Sequence, residues 1–166
     1  MNPNAEFATR TILIGVGATV VMDLWALLLK QFGVRSLNFA LLGRFIGHLP
    51  RGTWFHQSIA RAAPVRGELF IGWCAHYSIG IGFAGLLLGI FGLDWARSPS
   101  LLPALFVGIV TVAAPLLILQ PAMGAGVASS RTPTPLFNSV KSLATHTVYG
   151  FGLYLAAVAT AAILRA

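Results

Sequence analysis

Residues 69–93 read LFIGWCAHYSIGIGFAGLLLGIFGL, an apolar stretch that lies between Glu68 and Asp94 and contains no Lys, Arg, Asp or Glu. A transmembrane helix needs about 20 mostly apolar residues. Backbone amides cannot stay unpaired in lipid, so such a stretch is expected to be helical. Three further stretches qualify: 11–29, 101–119 and 143–164. The sequence therefore predicts an all-α integral membrane protein with four transmembrane helices in a single domain, residues 1–166.

The charge content excludes several classes of protein. Charged residues make up 9% of the chain, whereas a soluble domain carries about 25%. This excludes a soluble globular enzyme, a disordered regulator and an ordinary DNA-binding domain, so no nucleic-acid partner is expected. The single cysteine, Cys74, excludes an intramolecular disulfide and a Cys-rich zinc site. Nucleophile elbow, phosphate-loop and H-E-x-x-H motifs are all missing from the sequence, which favours a non-enzymatic function.

The basic residues predict the orientation of the spans. Eight of the 11 Lys and Arg residues lie in the first and third loops: Lys30, Arg35, Arg44, Arg51, Arg61, Arg66, Arg131 and Lys141. The other three are Arg10, Arg97 and Arg165. Basic loops stay on the cytoplasmic side, where they meet anionic lipid headgroups, so both termini are expected outside. Residues 37–46 and 54–63 of the first loop predict two short interfacial helices, because apolar and basic residues recur there at helical spacing.

A short motif occurs twice. Residues 76–82 and 146–152 both read H-x-x-x-G-x-G, in the second and fourth predicted spans. Each copy follows an outside-to-inside span and a loop, so the chain is interpreted as two parallel-repeat hairpins, residues 1–97 and 98–166. Glycines one turn from each histidine predict close helix packing.

Three titratable residues define a candidate site within the spans. Asp23, His76 and His146 each lie on a predicted helix face where small residues occur at four-residue spacing. The helical rise places them about 10, 12 and 8 Å from the predicted cytoplasmic edge. A lone carboxylate at such depth costs about 2.5–3.5 kcal/mol or more, so a partner is expected. An Asp–His contact would favour the carboxylate and the imidazolium together.

The chemistry of this candidate site has several interpretations. In the leading one, Asp23, His76 and His146 bind or translocate a small solute, a proton or a metal ion, and one carboxylate with two imidazoles suits a transition metal. Four spans enclose a pathway poorly, which favours a homo-oligomer. In an alternative, His76 and His146 are axial ligands of a haem in an electron-transfer protein, with the glycines making room for the porphyrin. In a third, the residues only clamp helices of a structural or accessory subunit.

Further motifs carry a family resemblance. They are 21–25 (VMDLW), 48–52 (HLPRG), 63–68 (APVRGE), 72–73 (GW), 76–77 (HY), 120–126 (QPAMGAG), 132–135 (TPTP), 142–143 (SL) and 146–154 (HTVYGFGLY). Over nearly the whole chain, the sequence resembles the domain-of-unknown-function 2938 family of small bacterial membrane proteins. The resemblance implies a multipass protein of the bacterial inner membrane, with both termini then periplasmic. It implies no reaction and no cofactor.

Overall fold

The computed structural model describes residues 2–34 and 36–164. Arg35 and Arg165, which were counted among the basic residues above, lie outside the described residues. Four helices are long and apolar enough to cross a membrane: Pro3–Gln31, Glu68–Arg97, Leu101–Ala122 and Pro135–Ile163. The described residues form no strand. This confirms an all-helical protein with four candidate spans, while the parallel repeat stays a prediction.

Within the described residues, six α-helices are numbered in chain order: α1 (Pro3–Gln31), α2 (Phe39–His48), α3 (Glu68–Arg97), α4 (Leu101–Val110), α5 (Gln120–Ala122) and α6 (Pro135–Ile163). Short 3₁₀ turns cover Leu49–Arg51, Ile59–Arg61 and Val127–Ser129. A π-helical segment, Ala114–Leu119, joins α4 to α5 within the third span.

The first span extends well beyond its predicted start at Thr11. The side chain of Asn2 accepts a hydrogen bond from Ala5 N, and Pro3 occupies the first helical turn, where no donor is needed. The apolar composition of the sequence did not predict the start of α1 before Thr11, because this part of the helix contains charged residues. Glu6 is buried, but Arg10 Nε contacts its Oε1 at 2.9 Å and Arg97 Nη2 contacts its Oε2 at 2.7 Å. Paired charges of this kind are tolerated at a helix end.

Two spans are interrupted where the sequence predicts continuous helices. In α3, Gly92 has φ 75°, a left-handed conformation that only glycine adopts without strain, one residue before the predicted end of the span. In the third span, α4 ends at Val110 and the π-helical segment begins beside Pro115. Proline has no N–H to donate to a regular helix, which accounts for the change in hydrogen bonding there.

The first loop corrects one prediction. The predicted helix at 37–46 has a counterpart in α2, which is capped by the Asn38 side chain. The predicted helix at 54–63 is wrong, because the segment is irregular apart from the turn Ile59–Arg61. Its backbone bonds elsewhere: His56 N donates to Ala122 O at 2.8 Å, and Ile59 N donates to Met123 O at 3.0 Å. Amides committed to another segment cannot also close a helix.

The described residues divide into two compact units. The first, called the span unit, comprises residues 2–34, 77–111 and 145–164. Its core takes side chains from four helices: Ile14 and Ala18 of α1, Ala84, Leu87, Leu88, Trp95 and Ala96 of α3, Ala104 and Val107 of α4, and Tyr149, Leu153 and Ala157 of α6. The small residues among them bring the helices of this unit close together.

Glycines mark the closest helix contacts of the span unit. A Cβ on Gly15 would lie 2.5 Å from Ile81 Cα, and a Cβ on Gly108 would lie 2.5 Å from Gly150 Cα. Thus α1 meets α3, and α4 meets α6, at positions where any side chain would collide with backbone. Such contacts are typical of helices packed in lipid.

The second unit, called the loop unit, comprises residues 36–76 and 112–144. Its apolar core is small, with Phe45, Ile59 and Ala122 buried at its centre. Helix α2 lies against the start of α3, because a Cβ on Gly43 would collide with the carbonyl of Glu68. Much of the unit is irregular, so its backbone depends on polar side chains for hydrogen bonds.

The outward faces of the candidate spans are strongly apolar. Leu102 is 79% exposed, and Leu24, Ile118 and Ile163 are also exposed. Soluble monomers rarely expose so many large apolar side chains on their helices. The four helices are therefore suited to a lipid bilayer.

Candidate functional site

Asp23 lies in the span unit and is hydrogen-bonded to a tyrosine. The Tyr77 hydroxyl of α3 donates to Asp23 Oδ2 at 3.0 Å. Asp23 is half-buried on α1, one residue before the exposed Leu24. A phenol donor stabilises a carboxylate at this depth. Sequence reasoning expected a histidine as the partner of Asp23 and did not consider Tyr77.

His146 is also in the span unit and is buried, with 8% of its surface exposed. Thr111 Oγ1 donates to Gly108 O at 2.8 Å and lies 3.1 Å from His146 Nδ1. Since the hydroxyl proton of Thr111 is used on Gly108, His146 Nδ1 must be the donor in this pair. In the neutral imidazole, this tautomer leaves Nε2 without a proton.

His76 belongs to the loop unit and has aromatic neighbours. Its ring centroid lies 4.6 Å from that of Phe39 and 6.0 Å from that of Trp73. Phe39 and Trp73 are themselves 4.2 Å apart. Two aromatic rings of the loop unit thus pack beside the imidazole of His76.

The three predicted site residues thus contact different partners. Within residues 2–34 and 36–164, no group of three or more His, Cys, Asp or Glu side chains could hold a metal ion. The assignment of Asp23, His76 and His146 as metal ligands gains no support from this geometry. Their convergence stays a prediction.

The glycines beside the histidines serve helix packing. A Cβ on Gly150 would lie 3.0 Å from Leu105 Cα and 3.1 Å from Ala104 O, and one on Gly80 would collide with the hydroxyl of Thr19. The haem interpretation needs open space beside these glycines. Neighbouring helices fill that space, so the residues of the span unit do not fit a porphyrin there.

The loop unit contains a half-buried polar cluster that sequence reasoning missed. Arg44 makes two hydrogen bonds to Glu68, Nε to Oε2 at 2.9 Å and Nη2 to Oε1 at 2.8 Å. Its Nη1 donates to the carbonyls of Ala60 and Ala62 at 3.2 and 3.1 Å. The hydrogen bond to Glu68 raises the pKa of Arg44 above its usual value, so this cation stays charged at physiological pH. One guanidinium thus fixes the irregular segment after Ser58.

A histidine pair lies in the same unit. His48 Nδ1 is 2.9 Å from His56 Nε2, and His48 Nε2 is 3.0 Å from Ala63 O. A carbonyl only accepts, so His48 Nε2 carries a proton. In a neutral His48, Nδ1 then accepts, and His56 Nε2 is the donor. His48 is buried and His56 is half-buried.

The fourth ring nitrogen of this pair, His56 Nδ1, is in an unusual environment. Among the described residues, His56 Nδ1 is buried without a hydrogen-bond partner. With these tautomers, His56 Nδ1 has a lone pair and no proton. Burying an unpaired lone pair costs less free energy than burying an unpaired N–H. The pair therefore holds one proton between its rings and fixes the position of the His56 side chain. The signal available in the sequence was the pair of histidines flanking the turn Leu49–Arg51.

Glycine also shapes this region. Gly124 has φ 96°, and a Cβ there would collide with the carbonyl of Gln57 and lie 2.8 Å from His56 O. The QPAMGAG motif therefore brings the third loop against the segment around His56, with the backbone hydrogen bonds from His56 and Ile59 completing the contact. This explains the motif in physical terms.

Comparison with known proteins identifies a family but no activity. A family model described as a protein of unknown function (DUF2938) matches residues 12–160. No curated protein matches the chain. No solved structure matches it either.

Proposed function

Because the chain belongs to the DUF2938 family, whose description names no reaction, we propose from its own residues that it is a multipass membrane protein that binds a proton or a small polar solute at Asp23 and translocates it. The observation that carries the proposal is the hydrogen bond from the Tyr77 hydroxyl to Asp23 Oδ2, at 3.0 Å, within the candidate spans.

The depth of Asp23 supplies the physical reason. An ionised carboxylate inside a span costs about 2.5–3.5 kcal/mol or more, and such residues mark ion and proton pathways. The Tyr77 hydroxyl holds one carboxylate oxygen of Asp23 in a hydrogen bond. Asp23 is then poised to exchange charge for a proton or for a cationic group of a solute.

The proposal also includes two histidines. His146 Nε2 has no proton in the tautomer set by Thr111. His76 lies beside Phe39 and Trp73. The proposal assigns binding to Asp23 and proton relay to His76 and His146, without a metal ion.

The membrane, the orientation of the chain and its oligomeric state are part of the same proposal. We place the protein in the bacterial inner membrane with both termini periplasmic, following the basic first and third loops. A homo-oligomer would enclose the pathway better than four spans alone. Reporter fusions at Arg44 and Arg131 are expected to report the cytoplasm, and a periplasmic signal would reverse the orientation.

Flux measurements test the proposal. The purified protein is reconstituted in liposomes that contain a pH-sensitive dye, and an imposed pH gradient drives proton entry. Asp23→Asn is expected to reduce entry to the rate of empty liposomes. The matched control is Asp94→Asn, an exposed aspartate at the end of α3, which should retain the wild-type rate.

A spectroscopic readout separates binding from structural support. Infrared difference spectra between high and low pH should contain the carbonyl stretch of a protonated carboxylic acid, lost in Asp23→Asn and kept in Asp94→Asn. Wild-type flux in Asp23→Asn, with an unchanged infrared spectrum, would overturn the proposal and favour a structural or accessory subunit.

A further inference from the structure

Two adjoining clefts of the loop unit share one wall. Phe55, His56 and Gln57 line both, with volumes of about 540 and 480 Å³. The larger is completed by the third loop, including Arg131, and the smaller is flanked by Arg61. Among the described residues that line the clefts there is no Asp or Glu. The two clefts together are lined by two arginines and no carboxylate, so an anionic ligand is favoured.

The shared wall is held in place before any ligand arrives. His48 contacts the His56 ring at 2.9 Å, and Ala122 O accepts the His56 amide at 2.8 Å. Gly124 lies against the carbonyls of His56 and Gln57. A preformed wall avoids the cost of ordering a loop when a ligand binds.

The clefts lie at the end of a candidate span and have an apolar rim. Pro121, which lines the larger cleft, is the penultimate residue of the span Leu101–Ala122. Span ends reach the headgroup layer of a bilayer. Phe55 is 76% exposed and Val127 is 55% exposed, and both line the larger cleft. A free anion gains nothing from such a rim, whereas an acyl chain does.

We propose that these clefts bind the phosphate group of an anionic phospholipid. Arg131 and Arg61 supply the cationic partners, the Ser130 hydroxyl and the Gln57 amide supply neutral donors, and the first part of the acyl chains covers Phe55. Arginine recognises phosphate through paired N–H donors. This site is independent of the pathway proposed for Asp23.

Lipid binding in detergent tests the site. Phosphatidylglycerol is titrated into the purified protein and bound lipid is counted by native mass spectrometry, with phosphatidylcholine as the neutral comparison. Arg131→Gln is expected to weaken phosphatidylglycerol binding about tenfold, the equivalent of one lost charge-assisted hydrogen bond. Arg61→Gln should weaken it in the same direction.

Matched controls separate a defined site from diffuse attraction. Arg51 and Arg66 are exposed arginines of the same unit that line neither cleft. Arg51→Gln and Arg66→Gln remove the same charge and should leave binding near wild type. Equal weakening by all four variants would overturn the proposal, because bulk electrostatics acts on every surface arginine.

A second experiment distinguishes the phosphate group of a lipid from free inorganic phosphate. Inorganic phosphate is titrated into delipidated protein and into protein preloaded with phosphatidylglycerol, and thermal unfolding is followed. We expect no stabilisation of the delipidated protein and no displacement of the lipid. Saturable stabilisation by inorganic phosphate, lost in Arg131→Gln, would overturn the assignment to lipid in favour of a free phosphate. Circular dichroism confirms that each variant is folded.

Discussion

The span unit and the loop unit use glycine in the same way and polar side chains differently. Both bring helices together at glycines that exclude any side chain: Gly108 against Gly150 in one, Gly43 against Glu68 in the other. In the span unit, the hydroxyls of Tyr149 and Thr111 donate to carbonyls of helices whose backbone is already paired. In the loop unit, Arg44 and the histidine pair bind carbonyls of irregular backbone.

The difference follows from where backbone hydrogen bonds go. A span that stays helical satisfies its own amides, so side chains there are free for packing or for a ligand. An irregular loop cannot do so, and each unpaired carbonyl or amide is costly when buried. Polar clusters of the loop unit are therefore structural first, and the same structure fixes the walls of its clefts.

The largest expected effect is the loss of Arg44. Arg44→Gln removes the ion pair with Glu68 and the donors to Ala60 and Ala62, leaving a carboxylate without its cation. We expect the greatest fall in melting temperature of any substitution discussed here, together with faster hydrogen exchange in residues 53–63. Thermal unfolding in detergent and exchange mass spectrometry provide the measurements.

Two variants control the Arg44 experiment. Arg51→Gln removes an exposed arginine of the same unit and should melt near wild type. The double variant Arg44→Gln/Glu68→Gln removes both charges and should recover part of the loss, since no uncompensated charge remains. Equal melting temperatures for Arg44→Gln and Arg51→Gln would show that the loop unit does not depend on this cluster.

The sequence predicts the spans better than it predicts the loops. Apolar length alone locates the four helices, because lipid leaves a long apolar segment no other structure. Apolar length predicts α1 and α6 to be shorter than they are. Glu6, Arg10 and Lys141 interrupt the apolar pattern, but the helices continue through them. Periodicity at 54–63 suggested a helix, but the amides of His56 and Ile59 bond to the third loop.

In the candidate site, the sequence likewise predicts some features and not others. Asp23 stands out in the sequence because no other acid lies within a predicted span. Its partner Tyr77 does not stand out, since a tyrosine near a span end has many roles. The pairing of His48 with His56 depends on a fold of the first loop that local pattern cannot reveal. Spacing identifies residue types, but only contacts identify partners.

A medium effect is expected from glycine contacts in the span unit. Gly108→Ala introduces a Cβ that would lie 2.5 Å from Gly150 Cα, in a backbone contact that cannot yield locally. Overpacking of this kind costs about 1–3 kcal/mol of unfolding free energy. The measurement is denaturation in mixed micelles.

Gly82→Ala is the matched control for Gly108→Ala. A Cβ on Gly82 would meet nothing within 4 Å, and alanine favours a helix over glycine by up to about 1 kcal/mol. We expect unchanged or slightly higher stability. Similar losses at Gly82 and Gly108 would mean that glycine acts through helix flexibility rather than through contact between helices.

The smallest effect is expected from a hydrogen bond inside the span unit. The Tyr149 hydroxyl donates to Gly80 O at 2.6 Å, and both residues are buried. Tyr149→Phe keeps the ring in the core and removes only this bond. Hydrogen bonds between membrane helices contribute about 0.6 kcal/mol on average, because the separated helices find other partners. The same denaturation assay should therefore show a loss well below that of Gly108→Ala. A loss of about 2 kcal/mol or more would place Tyr149 in a cooperative network, and polar side chains would then support the span unit as they do the loop unit.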